Sequence, residues 1–333
     1  MTFTDELKDA ISRRTVLLVL GVLAVQIAFI ASYVGAFHQP TPHQIGIGVV
    51  GPDQVVQQLD ASDELSASAM TEAEARARLA KGELAAALVV NTGGTQDTLL
   101  TATARGASLA TAVQAVAEQA EAQQGRTVTV EDVVPLEEGD ARGMSGFYLV
   151  IGWLVGGYLV ASLLGVAKGA RPANRRRAAI RLGAMVPYAV ASGLTGALVV
   201  DQGFGALTGH YWAVAGVGTL LVLSSATVTM ALQVLFGTIG IGLTVLLFVV
   251  LGNPSAGGAY QAELLPGLWR GIGEWLPNGA GTSALREIVY FGGHGAAGHI
   301  WLIVAYAVVG AAVTLLASSA IRREGSHVAK VSP

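Results

Sequence analysis

The sequence holds no cysteine, so a disulfide framework, a zinc–thiolate centre and a cysteine nucleophile are all excluded. Charge is scarce too: 13% of residues are Asp, Glu, Lys or Arg, about half the share of an ordinary soluble domain. No G-x-x-x-x-G-K-[ST] occurs, hence no Walker A loop, and no G-x-G-x-x-G lies between a strand and a helix. The GTIGIG stretch at 237–242 falls inside an apolar run, where close helix packing accounts for its glycines. No ionised side chain interrupts the long apolar runs, which removes the intramembrane carboxylates and ion pairs that mark proton-driven pumps. The histidine pairs His38/His43 and His294/His299 are five apart, a spacing that does not put both rings on one helical face for a metal. They read as loop histidines. The serines and threonines of 223–229 (LSSATVT) have no His or Asp neighbour and suit interhelical hydrogen bonding. The chain is therefore expected to be no enzyme and to bind no cofactor; ATP, if used, would be held by a partner chain.

What is abundant is apolar: 52% of residues are hydrophobic, and the 43 glycines are spread through apolar runs, as in closely packed membrane helices. Residues 168–181 (KGARPANRRRAAIR) hold six of the chain's 20 Lys and Arg between two uncharged runs, 147–167 and 182–200. Each run is about the ~20 residues needed to cross a hydrocarbon core. A cationic loop between two spans stays on the cytoplasmic side. From this anchor the chain reads as an α-helical polytopic membrane protein with six spans, 15–37, 145–167, 182–200, 211–235, 238–252 and 299–321. The uncharged stretch 211–251 is too long for one crossing, and Phe236-Gly237-Thr238-Ile239-Gly240 is the place where it folds back. Residues 1–14, with Phe3, Leu7, Ala10 and Ile11 at helical spacing, read as an amphipathic helix on the inner surface ending at Arg13-Arg14. The first span also has the small residues Val34-Gly35-Ala36 that a signal peptidase favours, leaving cleavage open. Arg322-Arg323 open a cytoplasmic tail, 322–333. Both termini are thus expected inside, in the plasma (cytoplasmic) membrane.

Residues 38–144 differ in character, with fifteen acidic and six basic side chains. Strands are expected at 44–50, 83–90, 97–103 and 127–134. Thr71 with Glu74 forms a capping box for a helix that ends at Gly82, and 107–124 has an apolar face of Leu109, Val113, Val116 and Ala120. This is one α/β domain between spans one and two, placed outside because each of its flanking spans has its other end inside. Its net charge of −9, six minus fifteen, does not oppose that, since large domains translocate regardless of charge.

Two segments carry candidate function. In 253–298, Trp269, Arg270, Glu274 and Trp275 suggest a helix at or dipping into the outer interface, with an Arg270–Glu274 pair four apart. Leu276, Pro277 and Asn278 break it, and a second short helix, 282–291, carries Arg286. Either this is a re-entrant hairpin flanking a pathway or an ordinary surface loop. In the basic loop, Arg171, Arg175, Arg176, Arg177 and Arg181 serve topology and anionic headgroups, or a coupling helix at 173–181 docks on a cytoplasmic ATPase. Nucleic-acid binding is not expected so close to two spans. Gly152-x-x-x-Gly156 offers a face for dimerisation.

Several short motifs resemble the ABC-2 type transporter permeases, in particular the YhgE/Pip (phage infection protein)-like branch. They are IGIGVVGPD at 45–53; Val133-Val134-Pro135-Leu136 with GDARG at 139–143, running into Phe147-Tyr148; and LPNGAG at 276–281 with Leu285-Arg286 and Tyr290-Phe291-Gly292-Gly293. The likeness covers nearly the whole chain by layout and about 40 residues by motif. It implies a permease subunit that forms a homo- or heterodimer and exports a lipidic, polymeric or drug-like substrate, energised by a separate cytoplasmic ABC ATPase. The uncharged spans favour a hydrophobic or amphipathic cargo. The competing reading is a membrane-anchored receptor or assembly factor acting through the external domain.

Overall fold

The computed structural model describes residues 11–328. The amphipathic helix expected over 1–14 lies, but for its last residues, outside the described residues, as do the final residues of the tail.

The first helix, α1 (Arg13–Phe37), starts where Ser12 accepts a hydrogen bond from the Thr15 amide. The α/β domain follows: β1 (Ile45–Val50), α2 (Asp53–Asp60), β2 (Leu65–Ala69), α3 (Glu72–Ala80), β3 (Ala86–Val89), β4 (Gln96–Thr101), α4 (Ala107–Gln123) and β5 (Thr127–Asp132). Its sheet has the order β2-β1-β3-β4-β5, parallel except for the β3–β4 pair. One face packs on α2 and α4 through Ile45, Ile47, Leu59, Leu88, Leu109 and Val113; the other packs on α3 through Ala75, Leu79, Ala87 and Leu100. The capping box at Thr71 and Glu74 is formed, and Gly82 follows the Lys81 cap with φ +73°, a left-handed position that glycine occupies without a Cβ penalty. The sequence reading omitted α2 and β2. Strand β2 is LSASA, an edge strand whose small side chains give no alternation of large apolar residues to read.

The remaining helices are α5 (Ser145–Lys168), α6 (Arg175–Leu198), α7 (Tyr211–Phe236), α8 (Ile239–Val245), α9 (Gly267–Gly273), α10 (Pro277–Tyr290) and α11 (Ala296–Val328). Among the described residues five helices are long and apolar enough to cross a membrane: Thr15–Phe37, Ser145–Lys168, Arg175–Gly203, Tyr211–Phe236 and Ala296–Ser319. The chain is a mostly helical, polytopic membrane protein carrying a small α/β domain. The stretch 238–252, expected as a span, is an apolar helix within one residue of those bounds, Ile239–Gly252, shorter than the other five and wound as a π-helix over Leu246–Gly252. At 1.5 Å per residue its 14 residues rise about 21 Å, short of a core of about 30 Å. The fold-back at 236–240 is where expected: α7 ends at Phe236, and Gly237 turns the chain with φ +64°.

Helix α7 is the centre of the bundle. Gly157 of α5, Gly193 of α6, Gly240 of α8 and Gly310 of α11 each lie against it so closely that a Cβ would run into its backbone. The serines and threonines of 223–229 do not bridge helices, contrary to expectation; at the helix start Tyr211 does, donating to Leu194 O of α6 at 3.2 Å. Ser224, Ser225, Thr227 and Thr229 donate to Leu221 O, Val222 O, Ser224 O and Ser225 O on their own helix. Hydroxyls satisfied within the helix leave glycine contact, rather than polar bridging, to hold the neighbours close.

Candidate functional site

Two ends of the molecule carry the polar chemistry. One holds the α/β domain, the other the arginine-rich turn.

At the domain end, α9 and α10 form a hairpin that enters the helical bundle. Trp269 on α9 donates its indole N–H to Ser32 Oγ of α1 at 3.0 Å. The turn lies deeper: Tyr306 donates to Trp275 O at 2.9 Å, and Tyr306 sits about three turns into α11, about 15 Å along its axis. Helix α10 then starts at Pro277, whose missing N–H is no loss at a first helical position. It starts five residues before the expected 282, because the break is a helix start and not a loop. Pro277, Asn278, Gly279, Ala280 and Gly281 are buried, so an ordinary surface loop does not describe this segment. Asn278 Nδ2 donates to Phe248 O at 2.9 Å and to Asn253 Oδ1 at 2.8 Å, joining the hairpin to the top of the short helix. Helix α10 climbs back toward the domain, where Tyr290 donates to Asp140 Oδ2 at 2.9 Å.

Between this hairpin, the start of α11, the strap 255–263 and the domain's 81–83 turn lies a cavity of about 790 Å³. Arg270, Trp275 and Arg286, all singled out from sequence, line it together. The expected Arg270–Glu274 ion pair does not form among the described residues, although both residues line the cavity. Arg286 donates to Gly257 O at 2.9 Å and has no carboxylate within 4 Å among the described residues. Its neighbour Glu287 meets His299 Nε2 through Oε1 at 3.3 Å, while Oε2 is buried with no hydrogen-bond partner. Arg105 of the domain spans the seam, pairing with Glu263 at 2.7 Å and donating to Gly82 O at 2.9 Å. The strap is further tied down by Leu109 N, which donates to Gln261 Oε1 at 3.1 Å, and by Leu264, a member of the domain's own core.

Sequence reasoning missed Glu287, His299, Arg105 and Glu263 as site residues. His299 had been taken for a loop histidine but stands in the first turn of α11. Arg105 and Glu263 are 158 positions apart, with no local pattern to join them. The signal that was present is a carboxylate and a guanidinium, Arg286-Glu287, inside a segment otherwise suited to burial.

At the opposite end the five arginines divide. Arg171 donates to Val234 O and Leu235 O at 3.0 Å each, capping the last turn of α7. Arg181 donates to Gly169 O at 2.9 Å and Lys168 O at 2.8 Å, capping α5. Both satisfy carbonyls left over at a helix C-terminus. Arg175, Arg176 and Arg177 are exposed. No separate helix spans 173–181: α6 begins at Arg175 behind an Asn174 cap, Oδ1 accepting from Arg177 N at 2.9 Å, and runs on as a membrane helix. The Asn side chain sets that start, because it satisfies an amide the first turn leaves free.

The two glycines proposed for dimerisation also part company. Gly156 O accepts from Tyr188 Oη of α6 at 3.3 Å, an internal contact. Gly152 has no atom within 4 Å of where a Cβ would stand. No three or more His, Cys, Asp or Glu side chains cluster as metal ligands among the described residues.

Comparison with known proteins returns no matching family model, no matching curated protein and no matching solved structure.

Proposed function

We propose that the chain is the permease subunit of an ABC-2 type exporter, similar to the YhgE/Pip-like branch, moving an amphipathic substrate out of the cell. On this reading the protein sits in the plasma membrane with both termini cytoplasmic and residues 38–144 outside. It crosses six times, the fifth crossing being the short helix Ile239–Gly252 completed by the residues that lead from it into the strap. It works as a homo- or heterodimer with a cytoplasmic ABC ATPase. The observation that carries the reading is the α9–α10 hairpin: broken helix at membrane depth persists only where protein covers it or a wet cavity lies beside it, and here a charged cavity does. Support at the other end is the exposed Arg175–Arg176–Arg177 turn, a surface suited to an acidic face of a cytoplasmic partner. The motion that reaches it would pass along α6, which is continuous from these arginines to Leu198.

The test is to purify the tagged chain from its native membranes in mild detergent and assay for an ATP-hydrolysing partner. Co-purification with the wild-type chain, lost in R175A/R176A/R177A that inserts normally, is the expected result. Absence of any ATPase from the wild-type preparation, or unchanged ATP-dependent export by the triple variant, refutes it.

A further inference from the structure

We propose that the cavity beneath the α/β domain binds the anionic headgroup of an amphiphile, with Arg286 and Arg270 as direct ligands and the tail leaving past Trp275. This deepens the permease reading by naming the class of its cargo, and it rests on that reading only for the word cargo.

The formal charges lining the cavity balance, Lys81, Arg105, Arg270 and Arg286 against Glu83, Glu263, Glu274 and Glu287, but their pairing is uneven. Arg105 is held by Glu263, Glu83 by Arg78 at 3.3 Å, and Glu287 by His299. Lys81, Arg270 and Arg286 then face one unpaired acid, Glu274, among the described residues lining it. A guanidinium carries five N–H donors; Arg286 uses its Nη2 on Gly257 O, and the side chain of Arg270 makes no hydrogen bond within the described residues. Withdrawing such a group from water without a counter-charge is costly, so an oxyanion is the complementary occupant. Arginine suits a phosphate ester through paired N–H donors.

The volume of about 790 Å³ lies within the range of pockets that enclose a small ligand. An apolar exit is present: Trp275 lies on the wall and is 69% exposed, close to Tyr306 of α11. Leu302 on the same helix completes this rim. A free anion would need no such flank, whereas an acyl chain does.

The probe is spin-labelled phosphatidylglycerol, which offers a phosphodiester and hydroxyl donors, added to the purified full chain in phosphatidylcholine nanodiscs. Saturable binding above that of labelled phosphatidylcholine is expected. R270Q and R286Q should each weaken it about tenfold or more, the loss of a charge-assisted hydrogen bond, and R286K should retain part of it. If R286Q does not fold, R270Q decides, because that side chain holds no protein partner to lose. No preference for phosphatidylglycerol, binding unchanged by R270Q, or binding lost in R175A/R176A/R177A instead would each overturn the proposal. So would displacement by free glycerol 3-phosphate as effective as by unlabelled phosphatidylglycerol, which would make the site one for a soluble anion. Neither ATPase nor transport enters this assay, so its failure leaves the permease reading standing, and failure to find an ATPase leaves this site standing.

Discussion

Replacing Gly157 with alanine adds one methyl group at the tightest contact between α5 and the central α7. That Cβ would meet Val222 Cα at 3.1 Å, with the Val222 carbonyl oxygen and Ser225 Oγ closer still. Two of the three atoms are backbone and cannot rotate away, so the helices must separate. Overpacking of this kind costs about 1–3 kcal/mol, offset in part by the gain of about 0.5–1 kcal/mol from removing a mid-helix glycine. Gly152, five residues earlier on the same helix, is the internal control. A Cβ there meets no atom within 4 Å, so Gly152→Ala keeps only the gain. Subtracting the two variants cancels the propensity contribution and leaves the packing cost, about 1–3 kcal/mol. At about 2–4 °C per kcal/mol for a chain of this size class, thermal unfolding in one detergent should place Gly157→Ala several degrees below Gly152→Ala. Equal midpoints would refute the argument that glycine contact on α7 holds the bundle. Gly152→Ala being the more harmful, with loss of a dimer on native gels, would restore the Gly152-x-x-x-Gly156 face as the important one.

In the domain, Glu121 is buried with Oε2 lacking a hydrogen-bond partner; burial, and then its neighbour Asp97, push its carboxyl up to about 7, while Asp97 is held below its ordinary range by Arg126, which reaches it at 2.7 Å against the opposing effect of burial. A raised carboxyl favours the protonated folded form, so its contribution is full below its unfolded value of 4.5 and is lost as pH rises through about 7. Amide exchange in β4 and α4, corrected for intrinsic rate, should therefore speed up from pH 5 to pH 8, and Glu121→Gln should flatten that dependence. Persistence of the full slope in Glu121→Gln would assign it elsewhere. Arg171→Ala and Arg181→Ala should each lower stability by about 0.5–1.5 kcal/mol, since each removes two hydrogen bonds to largely exposed helix-end carbonyls, whereas R175A/R176A/R177A should not; equal loss in all three would contradict the division of the basic turn. Glu263→Ala strips Arg105 of its carboxylate and should raise exchange in the first turns of α4 while leaving α7 unchanged, and protection unaltered throughout would show that the seam does not depend on that ion pair.

The membrane class, the α/β insert and the fold-back at Gly237 were legible because each has a local cause: long uncharged runs, a change of composition, and a glycine where the backbone must turn left-handed. The break at Leu276-Pro277-Asn278 was legible for the same reason, whereas the residues alone left a hairpin and a surface loop both open. The missing parts have non-local causes. Whether a glycine packs on α7 or faces open space depends on helix rotation, which separates Gly157 from Gly152 although both lie in the same apolar stretch. Arginine counts likewise predict a basic surface, but not that Arg171 and Arg181 are consumed as caps.

The short helix, the strap and the hairpin are one device. Ending a helix at Gly252 strands carbonyls in the interior, where each unsatisfied group is costly. The chain answers with donors from elsewhere: Asn278 to Phe248 O, Ser255 Oγ to Leu251 O at 2.6 Å, Arg286 to Gly257 O, and Gln261 Nε2 to Gly258 O at 3.4 Å. Asn278 and Arg286 stand on the hairpin, so the hairpin cannot move without uncovering backbone of the short helix and of the strap. The strap in turn enters the domain through Leu264 and the Arg105–Glu263 pair. A shift of the domain relative to the bundle would therefore pull the strap, reopen those hydrogen bonds and change the walls around Arg286. The same irregular backbone that shortens the helix is what leaves room for the cavity, and the domain is fixed to the segment whose movement would open or close it.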